Sequence, residues 1–255
     1  MAITLEELNS RVEALENKQV SLPYPLDYNS QQVISRTIDT FLPDKVYRAN
    51  NETYFKYFTF FESLDGWGLT DTSGGSSGIG FQSVNLTTGT TLNQASSIGK
   101  DPIYQDILSY DAPAEFKTAF QLGVSVANVE FFAGIGVGGN GAATNHYGVL
   151  AINNNLYGVV NNGGTQQQVL IASGLLTTNS YLVKVQFFPG DKVIFYVKDT
   201  TDNVLKEKGI ITTNLPTDVF TNWAFFEVVN KVGGGGSAKT VNFSFMEYTQ
   251  KIAQV

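Results

Sequence analysis

The sequence contains no cysteine and a single histidine among its 255 residues. The absence of cysteine excludes disulfide bonds, thiolate zinc sites, iron–sulfur clusters and cysteine nucleophiles. With His146 as the only histidine, multi-histidine metal sites are excluded and a Ser-His-Asp triad would depend on that one residue. We therefore expect no bound metal and no cofactor.

Basic residues are also scarce. Sixteen Lys and Arg residues stand against 23 Asp and Glu, which gives a formal net charge of −7. A nucleic-acid-binding protein normally presents a basic patch, and none is visible in this sequence, so we expect no nucleic-acid partner. Charged residues make up 15% of the chain, below the usual share of about 25%, and there are 25 glycines. This composition favours a β-rich domain over a helical enzyme.

Long apolar runs and an export signal are missing as well. No apolar stretch approaches the length of about 18 residues that a membrane span needs, so we expect no membrane insertion. Residues 1–4 carry no basic region and are followed at once by acidic residues, unlike a secretory signal. We expect synthesis in a cytoplasm, which suits a cytosolic protein and equally a virion component that is assembled in a host cell.

Residues 1–22 are predicted to form an oligomerisation helix. Their core positions recur at alternating spacings of three and four, which is the heptad pattern of a coiled coil. The a and d positions hold Leu5, Leu8, Val12, Leu15, Gln19 and Leu22. Pro23 ends the helix, because proline cannot continue the hydrogen-bonding pattern. The alternative is a helix that packs on its own globular domain.

The six residues from Arg11 to Glu16 resemble the Arg-h-x-x-h-Glu motif of short trimeric coiled coils, in which h is apolar. The resemblance implies that Arg11 and Glu16 bridge neighbouring helices. Valine at a, with leucine at d, favours dimers instead. The complete motif carries more weight, so we predict a parallel homotrimer. Gln19 in its core would fix the register at a cost in stability.

Residues 23–53 are predicted to connect this helix to a β-domain of residues 54–255. The pattern over residues 30–42 suits either a short helix or a strand, and the sequence does not decide between them. In the β-domain, apolar and polar residues alternate with the period of half-buried antiparallel strands over 116–126, 183–187, 193–197 and 241–246. Pro189-Gly190-Asp191 joins two of these runs into a hairpin.

Further strand candidates follow at regular spacing, separated by Asn-, Asp- and Gly-rich turns. They cover residues 80–86, 129–137, 147–152, 157–161, 168–172, 204–211 and 223–229. Ten or more short strands without a long helical pattern predict an all-β fold, a two-sheet jelly-roll sandwich.

Residues 58–250 resemble a concanavalin-A-like sandwich. The resemblance is carried by the opening run 61–67, the hairpin 181–198, Leu215-Pro216 and the closing strand 241–248. A short trimeric coiled coil that leads into such a sandwich resembles the fibres, spikes and head fibres of tailed phages. The resemblance implies a non-enzymatic structural protein at the virion surface. Its partners would be its own copies, capsid or other virion proteins, and host surface glycans.

A glycan-active enzyme on the same fold is the alternative, and a cellular lectin-like or assembly module is a third. Retaining glycosidases need two carboxylates roughly 5 Å apart. The strand carboxylates are isolated in the sequence, although Glu130 and Glu227 could meet across strands. A lyase needs His, Tyr, Arg and Gln together, and only His146-Tyr147 offers such a pair. We therefore expect no enzymatic activity.

Glycan binding requires aromatic rings that are exposed beside amide or carboxylate groups. The candidates near asparagine-rich loops are Trp67, Asn140, His146, Tyr147 and Trp223. Both tryptophans have strongly apolar strand neighbours, so burial in the core is the competing expectation for each of them.

Overall fold

The computed structural model describes residues 44–49, 52–64, 66–72, 74–80, 82–100, 109–123, 127–139, 141–199, 204–217, 224–231 and 236–252. The predicted oligomerisation helix and residues 23–43 of the connector lie outside these ranges and remain predictions. Every regular element within them is a strand. No helix there is long and apolar enough to cross a membrane.

The described residues form two antiparallel sheets. Sheet A has the order β1 (Asp44–Ala49), β2 (Glu52–Thr59), β16 (Thr240–Ile252), β7 (Ala114–Leu122), β12 (Ser180–Phe188), β13 (Lys192–Lys198) and β14 (Lys206–Ile211), with β4 (Ser76–Gly80) on β5 (Ser83–Thr87) and β5 on β16. Sheet B has the order β11 (Gln167–Ser173), β10 (Asn155–Asn161), β9 (His146–Ile152), β8 (Val129–Ile135), β15 (Ala224–Asn230), β6 (Ala95–Lys100) and β3 (Trp67–Asp71). Sheet A begins at Asp44, ahead of the predicted start of the β-domain at residue 54.

The strongest alternating patterns of the sequence are strands in the structure. Buried and half-buried residues alternate without interruption along β7, β12 and β13, because one side of each strand faces the core. The hairpin between β12 and β13 is confirmed. Its turn closes with a 3.1 Å hydrogen bond from the Asp191 N–H to the Phe188 carbonyl, and Gly190 has a φ of +66°, which glycine adopts without strain.

The core lies between the two sheets and is rich in aromatic rings. Phe120 of sheet A lies 4.6 Å from Phe131 of sheet B, measured between ring centroids. Tyr147 of sheet B stacks on Phe187 of sheet A at 4.9 Å. These contacts join the inner faces of the sheets, and burial of such rings is a main source of stability. The predicted all-β two-sheet sandwich is confirmed.

The longest strand, β16, lies inside sheet A. Its first part pairs with β5 and its second part with β2, while β7 pairs with it along most of its length. A bulge between Phe243 and Phe245 interrupts its pairing with β7.

Candidate functional site

An apolar and aromatic row crosses the outer face of sheet B, the face turned away from the core. Leu170 lies opposite Tyr157, and Tyr157 lies opposite Leu150. Leu150 in turn lies opposite Phe132, which lies opposite Glu227. Phe132 and Leu150 are buried, Tyr157 and Glu227 are half-buried, and Leu170 is exposed. The row therefore has the Glu227 carboxylate at one end and Tyr157 with Leu170 at the other.

Two carboxylates lie on this face on neighbouring strands. Glu130 pairs with Val229, and Glu227 pairs with Phe132, so the glutamates occupy diagonal corners of one cross-strand square. The sequence left open whether they meet across strands, and this register makes them diagonal neighbours. Lys231 Nζ lies 3.5 Å from Glu130 Oε2, and Glu130 is only 5% exposed.

Burial raises the pKa of Glu227 to about 7, and the charge of Glu130 adds to the rise while Lys231 opposes it. A carboxyl group that titrates near neutral pH can serve as a general acid. Within the described part of the chain, no group of three or more His, Asp or Glu side chains could hold a metal ion. The chemistry available here is that of a carboxylate pair.

The segment that follows β8 folds back over the same face. A Cβ on Gly138 would lie 2.3 Å from the Phe132 ring, and a Cβ on Gly139 would lie 3.5 Å from Glu227 Oε2. On its other side the Phe132 ring lies against Gly134, where a Cβ would come within 2.7 Å. Phe132 is thus held between glycines, and backbone of the protein itself fills the face above this ring.

His146 is buried beside this row and is fixed by two hydrogen bonds. Nδ1 lies 2.8 Å from the Thr144 carbonyl, which can only accept, so Nδ1 carries the hydrogen. Nε2 lies 3.2 Å from the side-chain amide of Gln166. Burial lowers the pKa of His146, which keeps the ring neutral at pH 7. Because the side chain has no exposed surface, it orders the loop and does not face a ligand.

Asparagine side chains hold the loops together at this end of sheet B. The buried Asn161 amide donates to the carbonyls of Ala142 and Gly164, and its oxygen accepts from the Gly164 N–H at 2.9 Å. Asn145 donates to the Thr217 carbonyl at 2.7 Å. The side-chain amides of Asn145 and Asn161 are therefore used to organise loops.

The three predicted glycan-binding residues that the structure describes form no exposed platform. Trp67 is 7% exposed and packs on Phe226. The expectation that this tryptophan is buried in the core is therefore confirmed. Tyr147 is fully buried between the sheets, and His146 is buried as well. A buried ring presents no face to a sugar. Asn140 and Trp223 lie outside the described residues, as do the oligomerisation residues Leu5, Leu8, Arg11, Val12, Leu15, Glu16, Gln19 and Leu22.

The outer face of sheet A carries charged side chains instead. Lys117 Nζ lies 2.6 Å from Glu115 and 3.2 Å from Glu247, and Lys184 Nζ lies 4.1 Å from the centre of the Tyr196 ring. Burial alone would raise the pKa of Glu115, but the neighbouring lysines lower it below its usual value. These groups satisfy one another, which suits a structural surface.

A groove of about 650 Å³ opens at one edge of the sandwich, where β11 of sheet B faces β13 and β14 of sheet A. We call it the edge groove. Leu170, Leu176, Asn179, Tyr181, Asp199 and Lys208 are among the residues that line it. Sequence reasoning missed it because its two sides come from strands that are distant along the chain and pair with different neighbours.

Comparison with known proteins supports the fold. No family model matches the chain, and no curated protein matches it in sequence. Among solved structures, a protein of unknown function from Shewanella oneidensis MR-1 is similar with a TM-score of 0.59 and 15% identity, over 92% of this chain and all of that one.

Two further solved structures have named activities. A β-1,3-1,4-glucanase (lichenase) from a mouse hindgut metagenome has a TM-score of 0.57 and 9% identity, over 76% of this chain and 98% of that one. Arcelin-5, a lectin-like defence protein of Phaseolus vulgaris, has a TM-score of 0.52 and 10% identity, over 78% and 99%. The chain therefore shares a two-sheet β-sandwich fold with these proteins. At these identities the likeness concerns the fold alone.

Proposed function

We propose that this chain is a non-enzymatic structural protein of a virion surface with a lectin-like sandwich. The observation that carries the non-enzymatic part is the filled outer face of sheet B. A hydrolase needs two carboxylates that reach the scissile bond. Here Glu130 is 5% exposed and lies against Lys231, while Gly138 covers Phe132, which lies directly opposite Glu227. Of the two glutamates, Glu227 is the more exposed.

The proposed mechanism of attachment is avidity. Residues 1–22 would join three chains, with Arg11 and Glu16 bridging neighbouring helices, and would seat the trimer on capsid or other virion proteins. Three sandwiches would then face a repeated host surface. Weak single sites on one rod bind such a surface far more tightly than any one of them alone. The heptad pattern supports this part of the proposal.

The test is a paired measurement on the full chain. In the first measurement, the protein is passed over immobilised glycans and the amount retained is determined. In the second, the protein is incubated with the same glycans in solution and the sugar released is determined. Retention without release is the expected result. Failure to retain the protein on any glycan would overturn the glycan-binding part, and sugar release would overturn the non-enzymatic part.

A second candidate, a glycan-active enzyme, is favoured by one observation: the pKa of Glu227 is about 7 beside a second carboxylate. Glu227 would then act as general acid and Glu130 as its partner. In that case E227Q would abolish sugar release, while E207Q, at an exposed position on β14, would leave it unchanged. Equal release by wild type and E227Q would exclude this assignment.

A further inference from the structure

The edge groove is bordered by a bulge on each side. On β11, Leu170 pairs with Tyr157 and Ala172 with Leu156, so Ile171 between them has no partner on β10. On β14, a similar shift in register leaves out Lys208. Bulges re-aim side chains and end regular pairing, and they are frequent beside binding sites. One bulge lies on each of the two edge strands that border the groove, so the shape of the groove is set by the backbone.

The two edge strands approach each other closely at Gly209. A Cβ on Gly209 would lie 2.8 Å from Val169 and 3.3 Å from Ile171, so glycine permits the contact between β14 and β11. The connection from β11 to β12 forms another side of the groove. It is held by a 2.8 Å hydrogen bond from the Leu176 N–H to the Tyr181 hydroxyl and by a 2.9 Å bond from the Leu175 N–H to the Asn154 carbonyl. The groove is therefore preformed.

The lining of the groove combines donors, acceptors and apolar surface. Asp199 offers acceptors, Lys208 offers donors, and Asn179 carries both kinds of group. Leu176 and Leu170 are 53% and 50% exposed and supply the apolar surface of the groove. Sugar hydroxyls both donate and accept, and the C–H faces of a sugar ring are apolar. A neutral saccharide matches this set better than a ligand with a single charge, because the groove holds both a carboxylate and an ammonium.

The groove also continues onto the outer face of sheet B. Leu170, which lines the groove and is 50% exposed, lies directly opposite the half-buried Tyr157 on that face. Neighbouring strands are about 4.8 Å apart. A second sugar unit, one strand away from the groove, would therefore lie over Leu170 and Tyr157, where a ring is available for stacking.

We propose that the edge groove is the glycan-binding site of this protein and that it takes a neutral saccharide of two or more hexose units. The inference rests on the proposed glycan-binding function. It moves the site from the filled centre of sheet B to the open edge of the sandwich.

The test is a titration of the full chain with neutral gluco- and manno-oligosaccharides of two to six units, followed by saturation-transfer difference NMR, with acidic oligosaccharides as a second panel. K208M keeps the length of the side chain and removes the ammonium, and it should weaken binding of the neutral panel about tenfold. L176A should weaken it as well. K192M removes a half-buried lysine of β13 that does not line the groove, and it should bind like wild type.

The possible outcomes separate this inference from the function on which it rests. Neutral saccharides that bind K208M and L176A as tightly as wild type would overturn the groove and leave glycan binding in place. Binding of the acidic panel alone would overturn the neutral ligand and likewise leave glycan binding in place. Absence of binding in both panels would overturn the groove and the proposed function together.

Discussion

At the scale of single residues, the closest packing on the outer face of sheet B surrounds Phe132. Its ring lies between Gly138 and Gly134, so the position of the covering segment depends on the absence of side chains at these glycines. Phe132 also meets the buried His146 edge to face, with 5.4 Å between the ring centroids. The close packing on this face therefore depends on a few glycine residues.

Replacement of Gly138 tests this packing. G138A would place a methyl group 2.3 Å from the Phe132 ring, so either the ring or the covering segment must shift. We expect a loss of about 1–3 kcal/mol in the free energy of unfolding, as for other overpacked sites. G78A is the matched control, because a Cβ there has no neighbour within 4 Å. Equal stability of the two variants in urea unfolding would contradict the packing.

The pKa of Glu227 predicts a dependence of stability on pH. The pKa is about 7 in the folded protein against an ordinary value of 4.5, so the folded state binds more protons than the unfolded state between these pH values. The stabilising contribution is therefore complete below about pH 4.5 and is lost as the pH rises towards 7. E227Q removes this contribution from the pH profile.

Urea unfolding of wild type and E227Q at pH 5 and pH 8 checks this prediction. His146 has a lowered pKa and titrates in both proteins, so the difference between their profiles isolates Glu227. Wild type should lose more stability than E227Q between pH 5 and pH 8. Parallel profiles would show that Glu227 titrates at its ordinary value.

Glu130 and Glu227 show which part of the site could be predicted from the sequence alone. Both residues were recognisable as strand carboxylates, but only the pairing of β8 with β15 makes them neighbours. Register between strands that are almost a hundred positions apart depends on tertiary packing and leaves no local pattern. The same reason hides the edge groove, whose two sides meet only in the folded sandwich.

At the scale of strands, alternation was a reliable guide where one face is apolar and the other polar. β7, β12 and β13 were predicted because their buried positions hold large apolar residues. β4 and β6 were missed, because their sequences are rich in serine and glycine and lack large residues at regular spacing. Their place in the sheets depends on pairing with neighbouring strands, β5 for β4 and β3 and β15 for β6, and not on a pattern in their own side chains.

The charged face of sheet A gives a prediction at this scale. Lys117 of β7 bonds Glu115 on its own strand and Glu247 on β16, and all three side chains are at most 27% exposed. K117A would leave two half-buried carboxylates without this cation, and we expect a loss of about 1–2 kcal/mol.

K192A is the control for that variant, since Lys192 and its partner Asp191 are 36% and 65% exposed and such pairs contribute little. Urea unfolding of both variants at neutral pH provides the comparison. If K192A lost as much free energy of unfolding as K117A, the ion pairs of Lys117 with Glu115 and Glu247 would contribute no more to stability than the exposed pair.

At the scale of the whole molecule, the predicted homotrimer can be tested by light scattering. The full chain should have a molar mass near three times 27.8 kDa. L15D places a charge at a core d position of the heptad and should yield monomers. E13Q, at the outward b position, should leave the trimer unchanged. A monomeric wild-type chain would remove the main support for the virion proposal.

The position of β16 has a consequence for biosynthesis. This strand lies between β2 and β7, so sheet A cannot close until residues 240–252 have left the ribosome, and residues 1–22 emerge well before them. If nascent chains associate through their first residues during translation, three unfinished sheets will each lack the same strand at close quarters. Exchange of β16 between chains would then compete with correct closure, as in domain swapping. In a trimer that assembles in this order, late strand insertion would therefore be the step most vulnerable to misfolding.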